Sequence, residues 1–313
     1  MQHINITTVI LLGFQNLHNL NIVFFFIILT IYCLTIFGNL LIILLSTCKS
    51  GLHSPMYIFL TQLSLSDILL TTDIIPNMLH VLLNKRGTMY FSACIIQFYF
   101  FGVSETSECL LLTVMAYDRY LAICKPLQYN VLMNHASCLK LLIMSWSLSF
   151  TLMLIETINI YKLYFCGPHI IDHFFCDFYP LLELSCSDVS RVKTEVTILC
   201  IPVIICPFMI IIVSYIYIIF TILKIKSING RQKAFSTCSS HLTVVSIFYG
   251  ALIGIYALPT GESTRKVSSL LYTIVIPFLN PIIYSLRNKD IKKAILFLNA
   301  HHIKKIYVTI NSG

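Results

Sequence analysis

Charge is what this chain has least of. Only 11% of its 313 residues are Asp, Glu, Lys or Arg, whereas soluble domains carry about 25%, and this excludes a soluble fold with a solvated surface. Gly/Ser linkers, low-complexity tracts and repeats are also missing. That leaves no seam for a second domain and points to one domain over residues 1–313. Without internal symmetry or paired broken helices, a secondary transporter is the weaker reading. No HExxH motif and no aspartate pair on facing helices occurs, so the chain reads as a non-enzyme with no metal centre. Tryptophan occurs once, at Trp146, and reads as a packing residue.

What remains is apolar: 57% of the residues are hydrophobic. A helix needs about 20 mostly apolar residues to cross the hydrocarbon core. Ile22 to Thr47, Val196 to Leu223 and Ala234 to Gly261 carry no charge, and Val267 to Leu286 makes another such run. Weaker spans are Tyr57 to Leu83 with Asp67 and Asp73, Phe91 to Ile123 with Glu105 and Glu108, and Leu139 to Tyr161 with Glu156. The expected fold is an all-α membrane protein, a seven-transmembrane helix bundle with helices near 22–47, 57–83, 91–123, 139–161, 196–223, 234–259 and 267–286. The first run is too long for the 7–15-residue core of a signal peptide and reads as a retained helix. Beyond the last span, Ile291, Ala294, Ile295 and Leu298 recur at helical spacing around Lys292 and Lys293. This predicts an amphipathic helix over 288–299 on the inner membrane surface.

Lys and Arg in short loops set orientation. With the N-terminus outside, fourteen of them fall inside and seven outside, so an extracellular N-terminus and a cytoplasmic C-terminus at the plasma membrane are expected. The net charge of +8 then lies largely beside anionic lipid headgroups and calls for no nucleic acid. Asn5, Ile6 and Thr7 form a glycosylation sequon in the outer segment. Of twelve cysteines, Cys94, Cys166, Cys176 and Cys186 lie at or beyond the outer helix ends, which suits two disulfides whose pairing spacing alone does not decide. Cys166, His169, His173 and Cys176 also have the spacing of zinc ligands. An oxidising compartment favours the cross-links over the metal.

Helical periodicity aligns Phe98, Phe101, Glu105 and Glu108 on one face of the third span, flanked by Gly102 and Thr106. At its inner end "MAYDRY" sets Asp118 beside Arg119. An arginine there can be held by the adjacent carboxylate in one state and released in another.

Six motifs occur in order: "GN" at Gly38 and Asn39, "HSPMYIFLTQLSLSDI" from His53, "MAYDRYLAICKPLQY" from Met115, "SY" at Ser214 and Tyr215, "KAFSTCSSHLTVVSIFYG" from Lys233 and "PFLNPIIYSLRN" from Pro277. On these the chain resembles the rhodopsin-like (class A) G-protein-coupled receptors and, among them, the odorant (olfactory) receptors. A non-olfactory class A chemoreceptor is the alternative. The resemblance implies a small, mostly apolar odorant bound in the outer half of the bundle and a heterotrimeric G protein, of the stimulatory, cAMP-raising type, engaged inside. It implies that released Arg119, with Asp118 and Tyr120 in the same motif, receives a G-protein helix while Tyr215 and Tyr284 move in beside it. His241 would bond to the third helix from the moving sixth, and Pro281 would act as a hinge. Asn39, Asp67 and Asn280 would form one polar cluster that Glu108 joins through a water or a sodium ion; no other cofactor is implied. The family's pocket adds Leu199, Cys200, Val203, Tyr249, Leu252, Ile253, Tyr256 and Thr273. The pairing Cys94–Cys176, as in related receptors, and then Cys166–Cys186 is expected. Glu105 departs from the pattern, which has a small or apolar residue there, and it suggests a ligand with an amine or another strong donor.

Overall fold

The computed structural model describes residues 6–15, 20–48, 54–166, 169–256 and 262–287. Asn5 and the helix expected over 288–299 lie outside the described residues. The chain begins with strand β1 (Thr8–Leu11) and runs through α1 (Asn21–Cys48), α2 (Pro55–Asn84), β2 (Gly87–Tyr90), α3 (Phe91–Cys124) and α4 (Tyr129–Leu132). It continues through α5 (His135–Tyr161), β3 (Ile170–Ile171), α6 (Phe178–Glu183), α7 (Ser190–Cys200) and α8 (Cys206–Lys224). It ends with α9 (Ile228–Tyr256), α10 (Glu262–Leu270) and α11 (Ile276–Arg287). A π-helical turn at Ile201–Ile205 joins α7 to α8, and another at Leu271–Val275 joins α10 to α11. Among the described residues the bundle is built of seven helical segments, α1, α2, α3, α5, α7 with α8, α9, and α10 with α11, and all of these but α3 and α9 are long and apolar enough to cross a membrane on length and composition alone.

Local chemistry marks several ends. At α2, Ser54 is extended and Pro55 opens the helix, where a fixed φ and a missing N–H cost nothing. Lys85 closes it in the left-handed region at φ 63°. At α5, the Asn134 side chain accepts from the Ser137 N–H at 2.9 Å, satisfying one free donor of the first turn. Four of the described helices start several residues before their apolar runs: α5 at His135, α7 at Ser190, α9 at Ile228 and α10 at Glu262. Those extra turns carry Arg191, Lys193 and Arg231, so a search for apolar runs passes over them.

The outward faces suit lipid. Phe26, Phe37, Met144 and Phe220 are each at least 60% exposed, which is tolerable only where the solvent is itself apolar. Inside, one large core joins Phe59, Leu63, Leu111, Met115, Ile218 and Phe248 from α2, α3, α8 and α9. A second, outer core gathers Val9, Leu11, Phe98, Cys176 and Leu181 beneath the loops.

A three-stranded sheet, order β2-β1-β3, lies over that outer core. β1 pairs antiparallel with β2, Thr8 opposite Tyr90 and Leu11 opposite Gly87, and parallel with β3 through Ile10 and Ile170. Alternation in "TVIL" turns Val9 and Leu11 inward. The strands were not among the sequence expectations. Gly13 follows at φ +60°, where a Cβ would also press on Val81, so glycine alone fits. Disulfides Cys94–Cys176 and Cys166–Cys186, with Cα separations of 5.5 and 5.8 Å, tie the long outer loop to α3 and close it on itself. Neither cysteine of the zinc-like spacing is left as a thiolate ligand.

Candidate functional site

The polar centre of the bundle is built on Asn280 of α11. Its Nδ2 donates to Asp67 Oδ1 at 3.1 Å, to Asp67 Oδ2 at 3.2 Å and to Glu108 Oε1 at 3.2 Å. All three residues are buried. An amide nitrogen has two hydrogens, so these acceptors outnumber its donors. The hydroxyls of Ser66 and Ser107 hydrogen-bond to each other at 2.8 Å, linking α2 to α3. Surplus carboxylate oxygens are the chemistry that a hard cation takes, so Asp67 and Glu108 fit a sodium ion.

Two expectations about this cluster change. Glu108 meets Asn280 directly, so no bridging atom is needed to connect them. Asn39 stands one step apart, its Nδ2 donating to the Thr35 carbonyl at 3.1 Å and the Pro277 carbonyl at 3.3 Å. The cause is Pro281. It has no N–H to give the carbonyl four residues earlier, and Asn39 supplies a donor instead. Gly38 makes that approach possible, since a Cβ there would lie 3.0 Å from the Pro281 ring.

At the inner end, Asp118 is fully buried and held on both oxygens. Arg119 Nε donates to Oδ2 at 2.9 Å, with a second bond from its guanidinium, and the Tyr129 hydroxyl of α4 donates to Oδ1 at 2.8 Å. Burial, and then the Asp118 carboxylate, push the Tyr129 hydroxyl above its ordinary range, so it stays a donor. Tyr129 closes a motif that the sequence singled out, but its contact depends on how the inner loop folds back.

His241 of α9 joins two other helices. Its Nε2 is 3.1 Å from the Leu112 carbonyl of α3 and its Nδ1 is 2.7 Å from the Tyr215 hydroxyl of α8. A carbonyl only accepts, so Nε2 carries the proton and Nδ1 accepts from Tyr215. Nearby, Tyr120 packs edge-on against Tyr217 with centroids 6.0 Å apart. Tyr284 is buried, and among the described residues its hydroxyl has no hydrogen-bond partner.

The outer half is roofed by the loop residues His173, Phe174 and Phe175, all buried. Phe101 of α3 packs against Phe175 at 5.0 Å and against Tyr272 at 5.8 Å between ring centroids. Ser269 ties the roof to α10, lying 3.3 Å from His173 Nε2 and accepting from the Tyr272 hydroxyl at 3.0 Å. Gln97 donates to the Asp73 carbonyl at 2.8 Å and accepts from the Cys176 N–H at 3.0 Å, holding the roof to α2 and α3. None of these roof contacts was read from sequence. The pair "FF" before Cys176 was the available signal.

The other residues expected at the ligand site divide. Thr106, Tyr249, Leu252 and Thr273 are buried, while Leu199 and Val203 are half-buried. Tyr249 stacks on Phe208 at 4.6 Å. Thr273 Oγ1 donates to the Ser269 carbonyl at 2.7 Å. At Gly102 a Cβ would run into the Met153 side chain of α5, so this position brings α3 and α5 together. The side chains of Cys200, Ile253 and Tyr256 lie outside the described residues. Among the described residues, Glu105 Oε1 is buried with no hydrogen-bond partner.

Comparison with known proteins follows the same lines. A family model described as "Olfactory receptor" matches residues 28–301. Olfactory receptor 5P60 of Mus musculus is 48% identical over 99% of this chain and 96% of its own length. Olfactory receptor 11L1 of Homo sapiens is 45% identical over 93% of this chain and 91% of its own. Olfactory receptor 10AG1 of Homo sapiens is 47% identical over 91% and 96% respectively. Matched over most of its length by that family model and by these relatives, this chain belongs to the olfactory receptor family of multi-pass, G-protein-coupled membrane receptors.

Proposed function

We propose that this protein is an odorant-activated receptor whose ligand binds in the outer half of the bundle, under the roof formed by His173, Phe174 and Phe175. It is a receptor and not an enzyme. Its N-terminus is extracellular and its C-terminus cytoplasmic, in keeping with the excess of Lys and Arg in the inner segments. Inside the cell it engages a stimulatory, cAMP-raising heterotrimeric G protein.

The observation that carries this reading is the hold on Asp118. Both of its oxygens are engaged, one by Arg119 and the other by Tyr129. That leaves the guanidinium bound to its own neighbour at a face that a G protein would use. His241 and Tyr215 link α9 and α8 to α3 just above. A ligand that binds one arrangement of these helices better shifts the population toward it. Asp67 and Glu108 would hold a sodium ion in the resting arrangement, where the ion's charge balances the two carboxylates. Pro281 supplies the hinge for α11.

The test uses the full-length receptor carrying an N-terminal epitope in cells with a cAMP reporter. Labelling of intact cells together with a cAMP rise to some members of a chemically broad odorant panel supports the reading. A surface-displayed receptor silent to the whole panel, or an epitope reached only after permeabilisation, contradicts it.

A further inference from the structure

Glu105 is a carboxylate without an assigned task. Its neighbour one turn inward, Glu108, is engaged by Asn280, and Asp118 is engaged by Arg119 and Tyr129. Glu105 Oε1 is shut off from solvent and unpartnered among the described residues. A buried acceptor left in that condition is unfavourable, and more so when charged, so a sequence that keeps one has reason to fill it from elsewhere.

The surroundings name the filler. One turn outward on the same face is Phe101, whose ring packs on Phe175 and Tyr272. Glu108 and the loop residue Asp177 lie within electrostatic reach of Glu105. Asp177 caps α6 by accepting from the Phe178 N–H at 2.7 Å. Among the described residues, the buried cation of the outer half, Lys266, is paired with Asp172. Among the described residues no ion pair reaches Glu105. The region is thus acidic and lies one helical turn from an aromatic cluster, with the described buried lysine committed to another carboxylate. An alkylammonium group meets each requirement: its N–H donors bond to the carboxylate, its charge offsets the acids, and aromatic faces attract cations. A neutral carbonyl or ether ligand has no donor for Oε1.

We propose that Glu105 anchors the ammonium group of a small primary or secondary amine, with the hydrocarbon part of that ligand lying against Phe101, Phe175 and Tyr272. This rests on the odorant-receptor reading above and narrows it to a ligand class.

The experiment compares alkyl and arylalkyl amines with alcohols and aldehydes of the same carbon skeleton, on wild-type, Glu105→Gln and Glu105→Asp receptors matched for surface count. Wild-type should respond to amines at concentrations at least ~10-fold below the matched alcohols, equivalent to ~1.4 kcal/mol. Glu105→Gln should raise the half-maximal concentration of the amines at least ~10-fold more than that of the alcohols. Glu105→Asp, which keeps the charge on a shorter arm and controls for folding, should recover part of the loss. Alcohols or aldehydes equal to the amines, or amine potency unchanged in Glu105→Gln, overturns the amine assignment and leaves the receptor reading standing. Silence to every class in a surface-displayed receptor overturns both.

Discussion

Asn39 of α1 donates to the Pro277 carbonyl of α11 at 3.3 Å, the carbonyl that Pro281 leaves without its helical donor. Two motifs far apart in sequence are thereby one structural unit. The glycine before the asparagine admits the proline ring, and the asparagine repairs the hydrogen bond that the proline removes. A hinge in α11 can then exist without an orphaned carbonyl in the core.

Asn39→Ala removes that donor while keeping the helix. The freed Pro277 carbonyl should cost about 1–3 kcal/mol. A lower thermal-denaturation midpoint of the purified receptor in detergent is expected. A midpoint equal to wild-type would show that the contact adds nothing to stability.

Tyr129→Phe takes away one of the two groups holding Asp118. Arg119 should be released more often, and ligand-independent cAMP per surface receptor should rise. An unchanged or lower basal signal would mean that Tyr129 only packs the inner loop.

The two disulfides should differ in weight. They close stretches with sequence separations of 82 and 20 residues, and chain entropy assigns ~4.5 and ~3 kcal/mol to such loops. Cys94→Ser with Cys176→Ser should therefore reduce surface display more than Cys166→Ser with Cys186→Ser. Counting epitope-labelled receptor per cell checks the order, and the reverse order would contradict it.

The ion pair between Lys266 and Asp172 offers an asymmetric test. The Lys266 side chain is 10% exposed and that of its partner Asp172 is 38% exposed. Asp172→Asn removes the counter-charge from a buried ammonium that keeps the Gly13 carbonyl at 3.3 Å, whereas Lys266→Met leaves a carboxylate that water can reach. The first should cost ~1–3 kcal/mol, less than breaking a fully buried pair, and the second less still. Thermal midpoints of the two variants measure the difference. Equal midpoints would show that this ion pair is solvated.

The fold class was legible because lipid makes it so. Runs such as Ile22 to Thr47 carry no charge, and only a helix satisfies its own backbone in hydrocarbon. Strand β1 was not legible, since four residues of alternation at Thr8–Leu11 mean little until β2 and β3 are brought alongside. Individual polar residues stood out by being polar in an apolar run, which singled out Asn39, Asp67, Glu108 and Asn280. The resemblance grouped them, and Asp67, Glu108 and Asn280 do meet, but Asn39 answers to carbonyls, and backbone acceptors look alike in sequence. Gly102 carries a packing role that the sequence did not show: its missing Cβ makes room for Met153.

The central claim is that Arg119 transmits activation from the bundle to a G protein. It is tested most directly by ligand-driven guanine-nucleotide exchange on a stimulatory G protein, in membranes holding equal numbers of wild-type or Arg119→Ala receptor. Arg119 sits at the inner end of α3, bonded to its own neighbour, so its loss should spare surface display and ligand binding while exchange falls at least ~10-fold, a change of ~1.4 kcal/mol. Exchange per receptor equal to wild-type, with display lost instead, would make Arg119 a structural anchor and contradict the account.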